Sequence, residues 1–257
     1  MADYGLQLFN DNGYSVVDSN NPSFVLRSSG TISSWPAKSG DISYADVDLS
    51  AFNQPLLFFR STSSNQRIAL YAPGDSAGGG SGTVAGKQFR IYKWYNLDAS
   101  GLQYYIFDRW IPSDRSSYGI QMWDDSGSLS FDSGWNFLTI KNVLWLDPGY
   151  PNHSNETGGS NWTQVGSAGS GTFALSMPCP RTWKYFIDIS SSPRSLLECF
   201  HLDSSNNIYT SLVPQGVYIN DSPALNGWAD NITRSQIMVA DVSRLPVSLN
   251  PVSWVIN

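Results

Sequence analysis

The chain opens with a pattern of alternating apolar and polar positions. In the stretch YGLQLFNDNGYSVVDS, residues 4–19, Tyr4, Leu6 and Leu8 fall on one side of an extended strand. The run NDNG follows, and Asn, Asp and Gly tolerate the positive φ angles that a tight turn needs. An apolar run then returns. The pattern predicts a β-hairpin at the start of the chain.

A closely similar stretch, YGIQMWDDSGSLSFDS, occupies residues 118–133, 114 residues later. The two stretches align without a gap and share seven identical residues. In the second copy these are Tyr118, Gly119, Gln121, Asp125, Gly127, Asp132 and Ser133. The alternation predicts a second β-hairpin, with Tyr118, Ile120 and Met122 on one face.

Further echoes extend the repeat beyond the hairpin. The stretch WYNLDASG, residues 94–101, resembles CFHLDSSN, residues 199–206, and each combines a strand with an Asp-containing turn. We therefore expect an all-β fold of two tandem, related β-sandwich-like units. The units span residues 1–115 and 116–257, and the second includes C-terminal strands.

Composition agrees with strands that are joined by many turns. The chain is 41% hydrophobic and 14% aromatic but only 14% charged, and Gly-, Ser- and Asn-rich loops fill residues 73–86 and 147–171. The net charge of −6, without a cluster of Lys and Arg, argues against a nucleic-acid partner. The sequence contains no run of 18 apolar residues, so we expect no membrane insertion.

Motifs that carry chemistry are weak, and we expect a protein that is not an enzyme, with no catalytic, cofactor-binding or metal-binding residues. The Gly-rich loop ends in Gly86-Lys87 but lacks the Ser or Thr of a phosphate-binding loop. The two histidines, His153 and His201, are too few for a zinc site.

The acidic residues leave two questions open. The pairs Asp46 with Asp48 and Asp124 with Asp125 fit a glycan hydrolase only if two carboxylates face each other across a cleft, whereas Asp beside Gly, Ser or Asn usually hydrogen-bonds its own turn. A calcium site built from loop Asp residues also stays open.

The two cysteines leave a separate question open, namely whether Cys179 and Cys199 form a disulfide.

Aromatic residues in loops are the candidates for binding. Exposed Trp and Tyr rings stack on sugars or anchor protein interfaces, whereas buried ones only fill a core. The candidate binding-loop aromatics are Trp35, Tyr150, Trp162 and Trp228, of which Trp162, inside the long second loop, is the strongest. They support an alternative function as a receptor- or carbohydrate-binding module.

The two hairpin stretches resemble the opening of a family of small β-rich proteins from tailed bacteriophages and prophages. Members are encoded among the tail-tip and tail-fibre genes of siphophages with lambda-like tails. Their opening has Tyr-Gly, alternating apolar residues, an Asn/Asp-Gly turn and Asp-Ser, as in residues 4–19 and 118–133. The resemblance covers these two stretches and is otherwise one of general composition.

The resemblance implies a structural role in the distal tail of the virion, after synthesis in the cytoplasm of the bacterial host. The implied partners are other tail proteins, namely the central hub or fibre and the distal tail proteins, together with a host receptor or glycan. It implies several copies on a symmetric assembly. The family has no catalytic residues to carry over to this sequence.

Overall fold

A computed structural model describes most of the chain. The described residues are 7–9, 15–18, 23–33, 42–60, 69–71, 88–94, 101–153, 162–178, 180–185, 194–218, 227–229 and 232–256. Within them the chain forms nineteen strands and no helix, so the predicted all-β class is confirmed. No helix in this part is long and apolar enough to cross a membrane.

The strands follow one another along the whole chain. Those before residue 115 are β1 (Gln7–Phe9), β2 (Ser15–Asp18), β3 (Phe24–Ile32), β4 (Ile42–Asp48), β5 (Leu56–Arg60), β6 (Ala69–Tyr71), β7 (Gln88–Trp94) and β8 (Leu102–Arg109). Those after it are β9 (Gln121–Trp123), β10 (Leu129–Asp132), β11 (Ile140–Leu146), β12 (Thr163–Ser167), β13 (Phe173–Ser176), β14 (Thr182–Tyr185), β15 (Arg194–Leu202), β16 (Asn207–Tyr218), β17 (Gly227–Trp228), β18 (Ser235–Asp241) and β19 (Val255–Ile256).

A six-stranded sheet joins the two predicted units. Its strand order is β11-β18-β13-β5-β8-β3, and β5 pairs with β13 at the centre, with Phe59 opposite Leu175. Three of its strands precede residue 115 and three follow it, so the predicted boundary crosses a hydrogen-bonded sheet. The prediction of two tandem sandwich-like units is therefore not confirmed.

The two halves of this sheet nevertheless have the same internal order. In each half the first strand along the chain (β3 or β11) lies at the edge and the second (β5 or β13) lies at the centre. The third (β8 or β18) lies between them. The central pair is antiparallel, as an approximate two-fold relation between the halves requires.

The two edges of the six-stranded sheet approach each other. The Leu26 N–H donates to the Asn136 carbonyl at 2.8 Å, and the Leu138 N–H donates to the Phe24 carbonyl at 2.9 Å. The opposite edge strand, β11, begins at Ile140, so roughly 7 Å of chain at most separates the two edges here. The sheet therefore curls towards a barrel.

Apolar side chains cover both faces of the six-stranded sheet. One face contributes Leu57, Phe59, Tyr104, Ile106, Leu175, Ile237 and Val239 to the largest core cluster. That cluster also contains Ala45, Val47 and Ile91 of the four-stranded sheet β19-β4-β7-β6 and Phe200, Leu202 and Ile208 of the five-stranded sheet β12-β16-β15-β14-β17. The layers therefore pack as a β-sandwich.

The opposite face carries a second core cluster. Its buried members are Leu26, Phe58, Tyr105, Phe107, Ala174, Ala240 and Val242, and Leu138, Leu245 and Leu249 pack against them. The chain after β18 thus covers this face, and the segment before β11 covers part of it as well. Hydrophobic burial on both sides explains why the strands of this sheet carry long apolar runs.

Candidate functional site

The second of the two repeated hairpins is a well-defined unit, which we call the Tyr118 hairpin (residues 118–133). Its strands β9 and β10 pair Gln121 with Asp132, Met122 with Phe131 and Trp123 with Leu129, with a bulge between the last two pairs. In the first copy, β1 and β2 pair Gln7 with Asp18, Leu8 with Val17 and Phe9 with Ser15, with a bulge at the equivalent place. The described strands of the two copies therefore pair in the same register.

The tip of the Tyr118 hairpin is held by one carboxylate. Asp124 Oδ1 accepts hydrogen bonds from the Ser126 N–H at 2.9 Å, the Ser126 hydroxyl at 2.6 Å and the Ser128 N–H at 2.9 Å. Gly127 has a φ of 78°, in the left-handed region that favours glycine. The Ser126 hydroxyl, followed by the Ser128 N–H, lowers the pKa of Asp124 below its usual value. This is the predicted turn role of an Asp beside Ser and Gly.

The base of the hairpin is held by a second carboxylate, Asp132, which is fully buried. Its Oδ1 accepts from the Ser116 hydroxyl at 2.5 Å and the Gly134 N–H at 2.8 Å. Its Oδ2 accepts from the Ser116 N–H and the Gln121 amide, both at 2.8 Å. The Ser116 hydroxyl is the largest cause that lowers the pKa of Asp132 to about 2, against the opposing effect of burial.

We expect the Asp132 network to make stability depend on pH in acid. The unfolded carboxyl binds a proton near pH 3.8 and the folded one near pH 2, so acid favours the unfolded state. The stabilisation is complete above about pH 4 and is lost as the pH falls to about 2. Urea unfolding of the wild type and of Asp132→Asn measures it. Parallel pH profiles between pH 6 and pH 2 would contradict the assignment.

Aromatic packing fixes the hairpin to the body of the protein. The Phe131 ring stacks on Phe137, with ring centroids 4.9 Å apart and planes at 15°. Phe137 forms a β-bridge with Val25 of β3, and the Trp135 indole N–H donates to the Asp114 carbonyl at 2.9 Å. The hairpin is therefore a fixed projection from the edge of the six-stranded sheet.

Three large apolar side chains of this hairpin face solvent. Tyr118 is 86% exposed, Ile120 57% and Trp123 48%, whereas Met122 is buried. The predicted common face of Tyr118, Ile120 and Met122 is therefore wrong. The alternation fails because β9 begins only at Gln121, so Ile120 lies outside the strand that contains Met122. Exposed apolar side chains on an anchored hairpin can bind another protein.

Gly119 also has no room for a side chain. A Cβ at this position would clash with Ser133 Oγ, and a φ of 114° is a conformation that other residues rarely adopt. Ser133 closes the hairpin, because its N–H donates to the Ile120 carbonyl at 2.9 Å and its hydroxyl accepts from the Ile120 N–H at 3.0 Å. The repeated Gly and Ser therefore have a structural reason.

The predicted binding-loop aromatics that the structure describes differ in exposure. Trp228 is buried, at 6% exposure, so the expectation of an exposed ring there is wrong: it packs edge-on against Trp183 at 5.1 Å. Trp162 is half-buried, with its ring 5.2 Å from that of His201. Tyr150 is 48% exposed. Trp35 lies outside the described residues.

A buried ion pair packs against the Trp228 ring. Arg181 Nη2 lies 2.7 Å from Glu198 Oε1, and both side chains are almost completely buried. The guanidinium carbon of Arg181 lies 4.1 Å from the centre of the Trp228 ring. Arg181 also donates to the carbonyls of Asp147 at 3.0 Å and Tyr150 at 2.7 Å. We call this arrangement the Arg181 clasp.

The clasp fixes the start of the second long loop. The Trp228 indole N–H donates to the Pro151 carbonyl at 3.1 Å, and the buried His153 ring packs against both Trp183 and Trp228. Tyr150 is thereby presented at the surface of a fixed segment. Trp145 lies on β11, shortly before this segment, and is 61% exposed. Its exposure could not be predicted from sequence, because an edge strand and a buried strand carry similar apolar runs.

The described residues show no group of three or more His, Cys, Asp or Glu side chains that would hold a metal ion. Cys199 is buried on β15, and Cys179 lies outside the described residues, so the disulfide stays open. Asp46 and Asp124, from the two Asp pairs considered for glycan hydrolysis, have other partners. Asp46 forms an ion pair with Arg90 at 2.6 Å, and Asp124 holds its own turn.

Comparison with known proteins gave no relative for this chain. It matches no protein-family model, no curated protein and no solved structure.

Proposed function

We propose that the protein is a non-enzymatic structural component of a bacteriophage tail tip, which docks on the central hub or fibre of the tail. One observation carries the proposal: the Tyr118 hairpin is rigidly anchored and presents three exposed apolar side chains. Tyr and Trp are the side chains that most often anchor protein interfaces. The resemblance of the hairpin sequence to phage tail proteins supplies the kind of partner.

The repeated hairpin and the matching strand order of the two sheet halves support the hypothesis of two related units. Related units suit a protein that is present in several copies on a symmetric assembly. Under this proposal the protein belongs to the virion and is made in the cytoplasm of the bacterial host. Host attachment through a receptor or glycan is part of the same proposal.

Binding to tails tests this function. In the phage or prophage that encodes the chain, tails are purified after deletion of its gene and mixed with the purified protein. We expect the protein to sediment with the tails in a fixed number of copies per tail. Absence of binding, together with intact tips and normal host adsorption in the deletion, would refute the proposal.

A second candidate function, carbohydrate binding, is favoured by Trp145 and Tyr150. Both rings are exposed, and the Arg181 clasp holds the segment that carries Tyr150. Exposed aromatic rings on a fixed backbone stack on the apolar faces of sugars. A glycan array measures this function: saturable binding that is lost in Trp145→Ala and Tyr150→Ala supports it, and an array without hits refutes it.

A further inference from the structure

A comparison of the two copies of the hairpin sequence distinguishes the residues that maintain the hairpin from the residues that have no structural role in it. Gln121 and Asp132 are repeated as Gln7 and Asp18, and in the Tyr118 hairpin the two side chains hydrogen-bond each other at 2.8 Å. Gly119, Gly127 and Ser133 are repeated because backbone conformation and hydrogen bonds require them. These repeated residues maintain the hairpin itself.

The residue types at the exposed positions of the Tyr118 hairpin are also repeated, although in this hairpin these side chains do not belong to the core. Tyr118, Ile120 and Trp123 correspond in sequence to Tyr4, Leu6 and Phe9, so each position keeps a tyrosine, an aliphatic or an aromatic side chain. A side chain that stays in water gains no hydrophobic stabilisation from folding. Apolar side chains that are exposed in the Tyr118 hairpin, and whose residue types recur in the N-terminal copy of the sequence, therefore point to a surface that is buried only when a partner binds.

The negative charge of the hairpin indicates the charge of the partner surface. Both 16-residue stretches contain Asp but neither contains Lys or Arg. Asp125, which is repeated as Asp11, is exposed at the tip beside Asp124, whose carboxylate stays ionised because its turn hydrogen bonds lower its pKa. A complementary protein surface is apolar where it meets Tyr118 and positively charged where it meets the tip.

We infer that Tyr118, Ile120, Trp123 and Asp125 are the contact residues of the Tyr118 hairpin, and that they bind a tail protein subunit with an apolar pocket and a basic rim. Tyr118 enters the pocket, and Asp125 faces the rim. The N-terminal copy of the hairpin sequence carries the same set of residue types. This inference rests on the proposed function and identifies the binding residues of that function.

The test uses tails purified from the gene deletion as the probe. The labelled wild type, Tyr118→Ala, Tyr4→Ala and the double variant are titrated onto the tails, and bound protein is measured by sedimentation. Removing a tyrosine that anchors an interface typically weakens binding by roughly 30-fold or more. We expect a loss of that size for Tyr118→Ala and a larger loss for the double variant.

Two further variants make the test specific. NaCl is expected to weaken the binding of the wild type more than that of Asp125→Asn, because the variant lacks a charge that faces the basic rim. Val247→Ala removes an exposed apolar side chain outside the hairpin and is expected to bind like the wild type. Thermal unfolding of each variant shows whether the fold is kept, which we expect because Tyr118 is almost fully exposed.

The possible results separate the two proposals. If the wild type does not bind the tails, the proposed function fails and this inference fails with it. If the wild type binds and folded Tyr118→Ala binds equally well, the proposed function stands and the inference is overturned. A loss in Tyr118→Ala that Val247→Ala does not share supports the inference.

Discussion

Replacing Glu198 with alanine is expected to lower the free energy of unfolding by about 3 to 5 kcal/mol. Glu198 and Arg181 are both buried, and Glu198 Oε2 also accepts from the Arg181 Nε–H at 3.0 Å. Without the carboxylate, the Arg181 guanidinium is a buried charge without its counter-charge. Leaving one buried charge unpaired costs far more stability than replacing both partners with apolar residues. Urea unfolding of Glu198→Ala measures the loss.

Two controls show whether burial causes this effect. Asp46→Ala removes the carboxylate from a bidentate pair with Arg90 whose side chains are about 30% exposed, and we expect a loss of about 1 kcal/mol or less. The double variant Arg181→Met, Glu198→Leu is expected to cost less than Glu198→Ala alone, because no buried charge remains. A Glu198→Ala loss no larger than that of Asp46→Ala would contradict the account.

The second large effect is expected at Asp108, which is fully buried on β8. Its carboxylate accepts from the backbone N–H groups of Asn53 at 2.9 Å and Gln54 at 2.6 Å, and from Arg27 at 2.6 Å. Burial by itself raises the pKa of Asp108, but these three donors outweigh it and lower the pKa below its usual value. The carboxylate ties the turn after β4 to the six-stranded sheet.

We therefore expect Asp108→Ala to destabilise the protein by about 3 kcal/mol, because two backbone donors and one guanidinium lose their acceptor. Asp108→Asn keeps one acceptor oxygen and should cost less. Thermal or urea unfolding measures both variants. Equal stability of the wild type and Asp108→Ala would show that water replaces the carboxylate and that the turn does not depend on it.

The hairpins could be predicted from sequence because the residues that determine each hairpin are close together along the chain. Alternation, the Gly127 turn and the repetition at residues 4–19 all point to the same two strands. The side of the hairpin that faces solvent could not be predicted, because β9 begins only at Gln121 and residues 118–122 are therefore not one regular strand. Ile120 therefore lies outside the strand and is exposed, whereas Met122 lies within it and is buried.

The Arg181 clasp could not be predicted from sequence. Arg181 and Glu198 come together only because β14 pairs with β15, and Trp228 joins them because β17 pairs with β14. No spacing in the chain indicates such contacts between distant segments. The same limit applies to the six-stranded sheet: the pairing of β5 with β13 across the predicted boundary leaves no local pattern in either strand.

We propose that this protein binds a tail subunit through the Tyr118 hairpin. Electron microscopy of tail tips that contain the protein tests it most directly. We predict that Tyr118, Ile120 and Trp123 lie buried against a neighbouring tail subunit. Tips in which the protein is present but its Tyr118 hairpin faces solvent in every copy would contradict the claim.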